Sequence, residues 1–74
     1  MMYELWDMET GNVVGGFTGE AEALGVVRGV IARHGRSAAL PLALGYEGRD
    51  GHSQVIAMGE ELLIRAERAA FGAA

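Results

Sequence analysis

The sequence predicts an α+β domain: a four-stranded antiparallel sheet assembled in ββαββα order, with helices packed on one face. Three observations carry this. Thr18 to His34 repeats its apolar residues at helical spacing. Four shorter runs, Met2 to Asp7, Asn12 to Phe17, Pro41 to Glu47 and His52 to Met58, read as strands. Those runs fall in two pairs, one on each side of the helix, and each pair is joined by a short glycine-bearing turn.

In the first strand Tyr3 and Leu5 point one way and Glu4 and Trp6 the other. The segment DMETGN then turns the chain, with Asp7 bonding the backbone ahead of it and Gly11 accepting positive φ. Gly15 and Gly16 interrupt the second strand, which marks a bulge or the close approach of another group, with Trp6 the expected neighbour.

In the helix, Ala23, Leu24, Val27, Val30 and Ile31 fall within an arc of roughly 120°, the stripe of a helix lying on a sheet. The outer side carries Glu22, Gly25, Gly29 and Arg33, with Val26 beside them. Thr18 or Gly19 is the expected N-cap, and Glu20 and Glu22 complement the positive end of the dipole. Arg33, His34 and Arg36 stand at the negative end, where Gly35 can stop the helix in the left-handed conformation. Gly25 and Gly29 each cost about 1 kcal/mol relative to alanine, so this helix must draw its stability from packing.

Gly35 to Leu40 is a loop or short helical turn, and Pro41 opens the third strand, where Leu42, Leu44 and Tyr46 alternate with Ala43, Gly45 and Glu47. GRDG, residues 48–51, turns into the fourth strand, where Val55 and Ala57 oppose Gln54, Ile56 and Met58. Gly59 permits a break before a second helix from Glu60 to Ala70, with Leu62, Leu63, Ala66, Ala69 and Ala70 as its docking stripe. Glu61 stands four residues before Arg65, the spacing of a helical ion pair, and the tail through Ala74 is expected to fray. With no linker or repeat, residues 1–74 form one domain of expected strand order 2-1-3-4.

A chain of 74 residues buries a smaller fraction of its surface than a larger protein does, so its stability margin is thin and oligomerisation is an ordinary remedy. A net charge of -4 and the absence of lysine argue against nucleic-acid binding. Of the arginines, only Arg33 and Arg36 are placed to form a positive patch. The absence of cysteine removes disulfides and thiolate chemistry, and no apolar run is long enough to span a bilayer. The expectation is a soluble cytoplasmic protein without membrane association.

Taken together, YELWD, TGN, FTGEAEAL, VR, RHGR, LALG, DG and IAMGEEL resemble a group of short uncharacterised bacterial single-domain proteins over nearly the full length. These motifs are turns and caps, and the resemblance implies no activity and no catalytic residue. FTGEAEAL is also similar to the helix start of HicB-class antitoxins, which have a longer sheet and a proline-glycine segment where this chain has Gly15 and Gly16. That likeness implies a regulatory protein that masks a macromolecular partner.

No catalytic constellation is present. His34, Asp50 and His52 are the metal-capable residues, yet they sit at a helix end and a turn, so neither a metal nor any cofactor is expected. Ser53 follows His52 directly, and adjacent strand residues point to opposite faces, so no activated nucleophile results. Gly15 and Gly16 lack the pattern and the lysine of a phosphate loop.

Two interaction surfaces remain. Gly25 and Gly29, one turn apart and bordered by Val26 and Val30, are either tolerated surface residues or a flat helix groove that admits another backbone. Trp6, with Ile56 and Met58, belongs to the sheet face opposite Tyr3 and Leu5; the helices can cover either face, and whichever they leave open keeps large apolar groups that need a second layer. The resulting expectation is a non-enzymatic domain that forms a homodimer or joins a protein partner. The alternatives are the masking protein above and a small-molecule binder using an aromatic patch of Tyr3, Trp6 and Tyr46.

Overall fold

The computed structural model describes residues 2–72. β1 (Met2–Asp7) and β2 (Asn12–Phe17) are joined by a turn that Asp7 builds. Its Oδ1 accepts from the backbone N–H of Glu9 at 2.9 Å and of Thr10 at 3.3 Å, while Gly11, at φ +76°, donates its N–H to the Asp7 carbonyl. This is the local side-chain bonding that favours Asp in turns.

α1 (Glu20–His34) starts after Gly19, which serves as N-cap without a side-chain bond, while the Thr18 hydroxyl donates to Glu22 Oε1 at 2.9 Å. Gly35 ends the helix at φ +89° and donates its N–H to the Ile31 carbonyl. Positive φ is as expected there, but ψ of 166° is extended rather than left-handed helical. α2 (Arg36–Ala39) is a single turn that buries Ala39, and β3 (Leu42–Glu47) follows. β4 (Ser53–Met58) and α3 (Gly59–Gly72) complete the described chain.

The sheet is four-stranded and antiparallel in the order β2-β1-β3-β4, and the whole is an α+β fold in ββαββα order with α2 as an extra turn. Alternation puts Tyr3 and Leu5 of β1, and Leu42, Leu44 and Tyr46 of β3, on the face the helices cover. Leu5 and Leu44 are cross-strand partners and wholly buried. They meet Ala23, Leu24 and Val27 of α1 and Leu62, Leu63 and Ala66 of α3 in one core, with Val26, Val30, Ile31 and Ala69 packed at its margin. The side chain of Ala70 and the tail at Ala73 and Ala74 lie outside the described part of the chain.

Three expectations are corrected by the packing. Arg65 does not pair with Glu61 on its own helix; its Nη1 lies 2.8 Å from Glu20 Oε2, tying α3 to the first turn of α1. Arg36 is bound by Glu60 and Glu67 of α3, so it forms no positive patch with Arg33. The neighbours of the glycine pair are not Trp6: a Cβ on Gly15 would stand 3.0 Å from Phe17 Cζ, and one on Gly16 would stand 3.1 Å from Met2 Sδ. Because both partners of the Arg65–Glu20 bridge remain more than a third exposed, Arg65→Ala is expected to lower stability by less than about 1 kcal/mol, read as a small shift of the urea midpoint.

A β-bulge interrupts each outer ladder. The register shifts between Leu5 and Trp6 opposite β2, leaving Val14 unpaired, and between Leu44 and Gly45 opposite β4, leaving Ile56 unpaired. The second bulge reverses the expected alternation of β4. Val55 pairs with Gly45 and faces away from the helices, while Ile56 packs against the core. The molecule is a slab of 34 × 33 × 17 Å, one helix layer on one sheet.

Candidate interaction surface

Cross-strand pairing defines the sheet face opposite the helices row by row. One row runs Val13, Trp6, Ala43, Met58; the next Gly16, Glu4, Gly45, Val55; the third joins Met2 to Glu47 and Ser53. Nothing described packs on this face. Val55 is 58% exposed and Met58 52%, and Met2, Met8, Val13 and Val14 are also among the exposed large hydrophobic side chains. Among the described residues, only Leu40 and Ile64 are comparably exposed elsewhere. Scattered surface hydrophobics need no explanation, whereas a contiguous set on one face makes that face a candidate for interaction.

Relief on this face comes from side-chain size. Ala43, flanked in the pairing by Trp6 and Met58, is 1% exposed, and Gly45 lies in the adjacent row. These small residues contribute to a shallow depression of about 280 Å³, walled by Trp6, Met8 and Val55 and bordered by Ser53 and Gln54. Glu4 is its carboxylate. It has a glycine on each side across the ladder, Gly16 and Gly45, and takes part in none of the ion pairs found among the described residues.

Trp6 and Met58 are therefore brought together as the sequence suggested. Ile56 is not: the bulge turns it into the core margin and puts Val55 in its place. Val55 was missed because simple alternation set it opposite Ile56 and Met58, and the uniformly apolar run Val55-Ile56-Ala57-Met58 gave no sign of the bulge that shifts the count. The aromatic patch does not form either. Tyr3 and Tyr46 pack together on the helix side, ring centroids 5.0 Å apart and planes tilted by 58°, whereas Trp6 stands on the opposite face.

The helix groove exists on the other side of the molecule. Gly25 and Gly29 lie in a depression of about 520 Å³ bounded by Phe17, Val26 and Val30, with Glu22 and Arg33 at its polar margin. Val26 and Val30 are half-buried against the core, which leaves this groove less free apolar surface than the sheet face.

His34, Asp50 and His52 are all exposed, and Asp50 Oδ1 is occupied in accepting the His52 backbone N–H at 3.0 Å. Among the described residues, no group of three or more His, Cys, Asp or Glu is placed to hold a metal ion, and no helix is long and apolar enough to cross a membrane. No protein-family model matches the chain, and neither a curated protein nor a solved structure matches it.

Proposed function

We propose that this chain is a non-catalytic interaction domain that self-associates by stacking the open face of its sheet on that of a second copy. The carrying observation is the exposed apolar set on that face, with Val55 and Met58 more than half exposed beside Trp6. Two stacked sheets about 10 Å apart would bury these side chains and turn two α–β slabs into a four-layer α–β–β–α assembly.

Area supports a reversible dimer. Strands about 4.8 Å apart and six residues long, at about 3.4 Å each, outline a face of roughly 400 Å² in projection and somewhat more in accessible area. Two copies would thus remove on the order of 1,000 Å², the lower bound of specific interfaces. The sheet edges favour the same geometry. β2 and β4, the two edge strands, each carry a bulge, which twists the edge and disfavours edge-to-edge pairing with another chain.

The test is absolute mass in solution by light scattering across a concentration series, with Trp6 emission followed in parallel. The expected result is a mass rising from monomer to dimer together with a blue shift of the only tryptophan in the chain, as its half-buried ring loses water. A monomer at every concentration would overturn the reading.

A further inference from the structure

Glu4 sits where a self-associating face is most sensitive to charge. β1 is an inner strand of the sheet, and Glu4 lies near its middle, between Met2 and Trp6 along the strand and between Gly16 and Gly45 across it. Flanking glycines supply no group that could cover or pair the carboxylate. The other charged residue on these rows is Glu47, of the same sign and at the end of β3. Nearby turns add Asp7 and Glu9 on one side and Arg49, Asp50 and His52 on the other, beyond the strand ends. Asp7 and Asp50 are bonded within their own turns. The helices pack on the opposite side, and Arg28, Arg36 and Arg65 are engaged there by Ala66, by Glu60 and Glu67, and by Glu20.

We infer that Glu4 acts as a charge brake on assembly, holding two copies in a weak equilibrium that neutralising its carboxylate shifts toward the dimer. This rests on the self-association proposed above. Closing two sheets over Glu4 removes water from a carboxylate with no cation opposite it, and an unpaired buried charge opposes association. The protonated carboxyl loses far less on burial.

The experiment compares the wild-type chain with Glu4→Gln, which keeps shape and hydrogen-bonding capacity while removing charge. Dissociation constants are measured by sedimentation equilibrium at neutral pH, with circular dichroism as the check that both chains are folded. The expected result is a dimer about tenfold or more tighter for Glu4→Gln than for the wild-type chain. Equal or weaker association of folded Glu4→Gln would overturn the brake while leaving the dimer standing. Monomers of both chains under every condition would overturn the self-association and the brake together.

Discussion

Val55→Asp combined with Met58→Asp is expected to leave a folded monomer at every accessible concentration. Both side chains are on edge strand β4 and more than half exposed, so their replacement disturbs little that holds the fold. The intrachain cost is the poorer strand propensity of aspartate, within about 1 kcal/mol for each site. At the stacked interface the same changes remove two apolar side chains per copy and add two carboxylates to a face that already carries Glu4 and Glu47. Loss of buried area and like-charge repulsion act in the same direction, and a weakening of the dimer by roughly 100-fold or more is expected. Light scattering reads the mass, and the urea midpoint measured on dilute monomer confirms that the fold is intact. An undiminished dimer in this variant would move the contact away from the sheet, and the α1 groove at Gly25 and Gly29 would then be the surface to alter.

The second large effect concerns stability. Leu44→Ala is expected to cost about 2–5 kcal/mol, the range for truncating a fully buried leucine. Leu44 is wholly buried on β3, paired across the sheet with Leu5 on one side and Ala57 on the other, and sits in the core closed by α1 and α3. A 74-residue domain has a total stability of about 4–11 kcal/mol at typical per-residue values, so this single truncation removes a large part of it. The slab form makes the loss harder to absorb. With one helix layer on one sheet, the cavity can close only if the helices settle toward the sheet or the neighbouring side chains repack. Urea unfolding of the monomer should show a lower midpoint with an unchanged slope. Val55→Ala, on the outer face of the same sheet, should shift that midpoint only slightly.

The contrast between those two positions shows how much of the surface could be read in advance. Strict alternation in Tyr3-Glu4-Leu5-Trp6 and in Leu42 to Glu47 assigns faces directly, and both inner strands follow it. Their uninterrupted pairing with each other keeps the period of two intact. The edge strands depart from it. At Val14 and Ile56 a bulge adds one residue, and every residue beyond it changes the face that a simple count would give. Gly15 and Gly16 announce the first bulge, but no glycine marks the second, which is why Ile56 and not Val55 was expected on the open face.

By itself, then, the sequence determined the element order, the turn built by Asp7 and closed by Gly11, and the core stripe of α1. Each of these depends on local conformational preference or on the spacing of apolar residues along one element, which are properties of neighbours in the chain. Only the tertiary structure decided the partners of Arg65 and Arg36 and the exchange of Val55 for Ile56. Both depend on which elements meet in the folded chain. Long flexible side chains choose their ion partners from whatever element packs beside them, and a bulge arises only when two strands meet in a particular register. An α1–α3 contact brings Glu20 to Arg65, and the bulge in the β3–β4 ladder turns Ile56 toward the core and Val55 out onto the face on which two copies are proposed to meet.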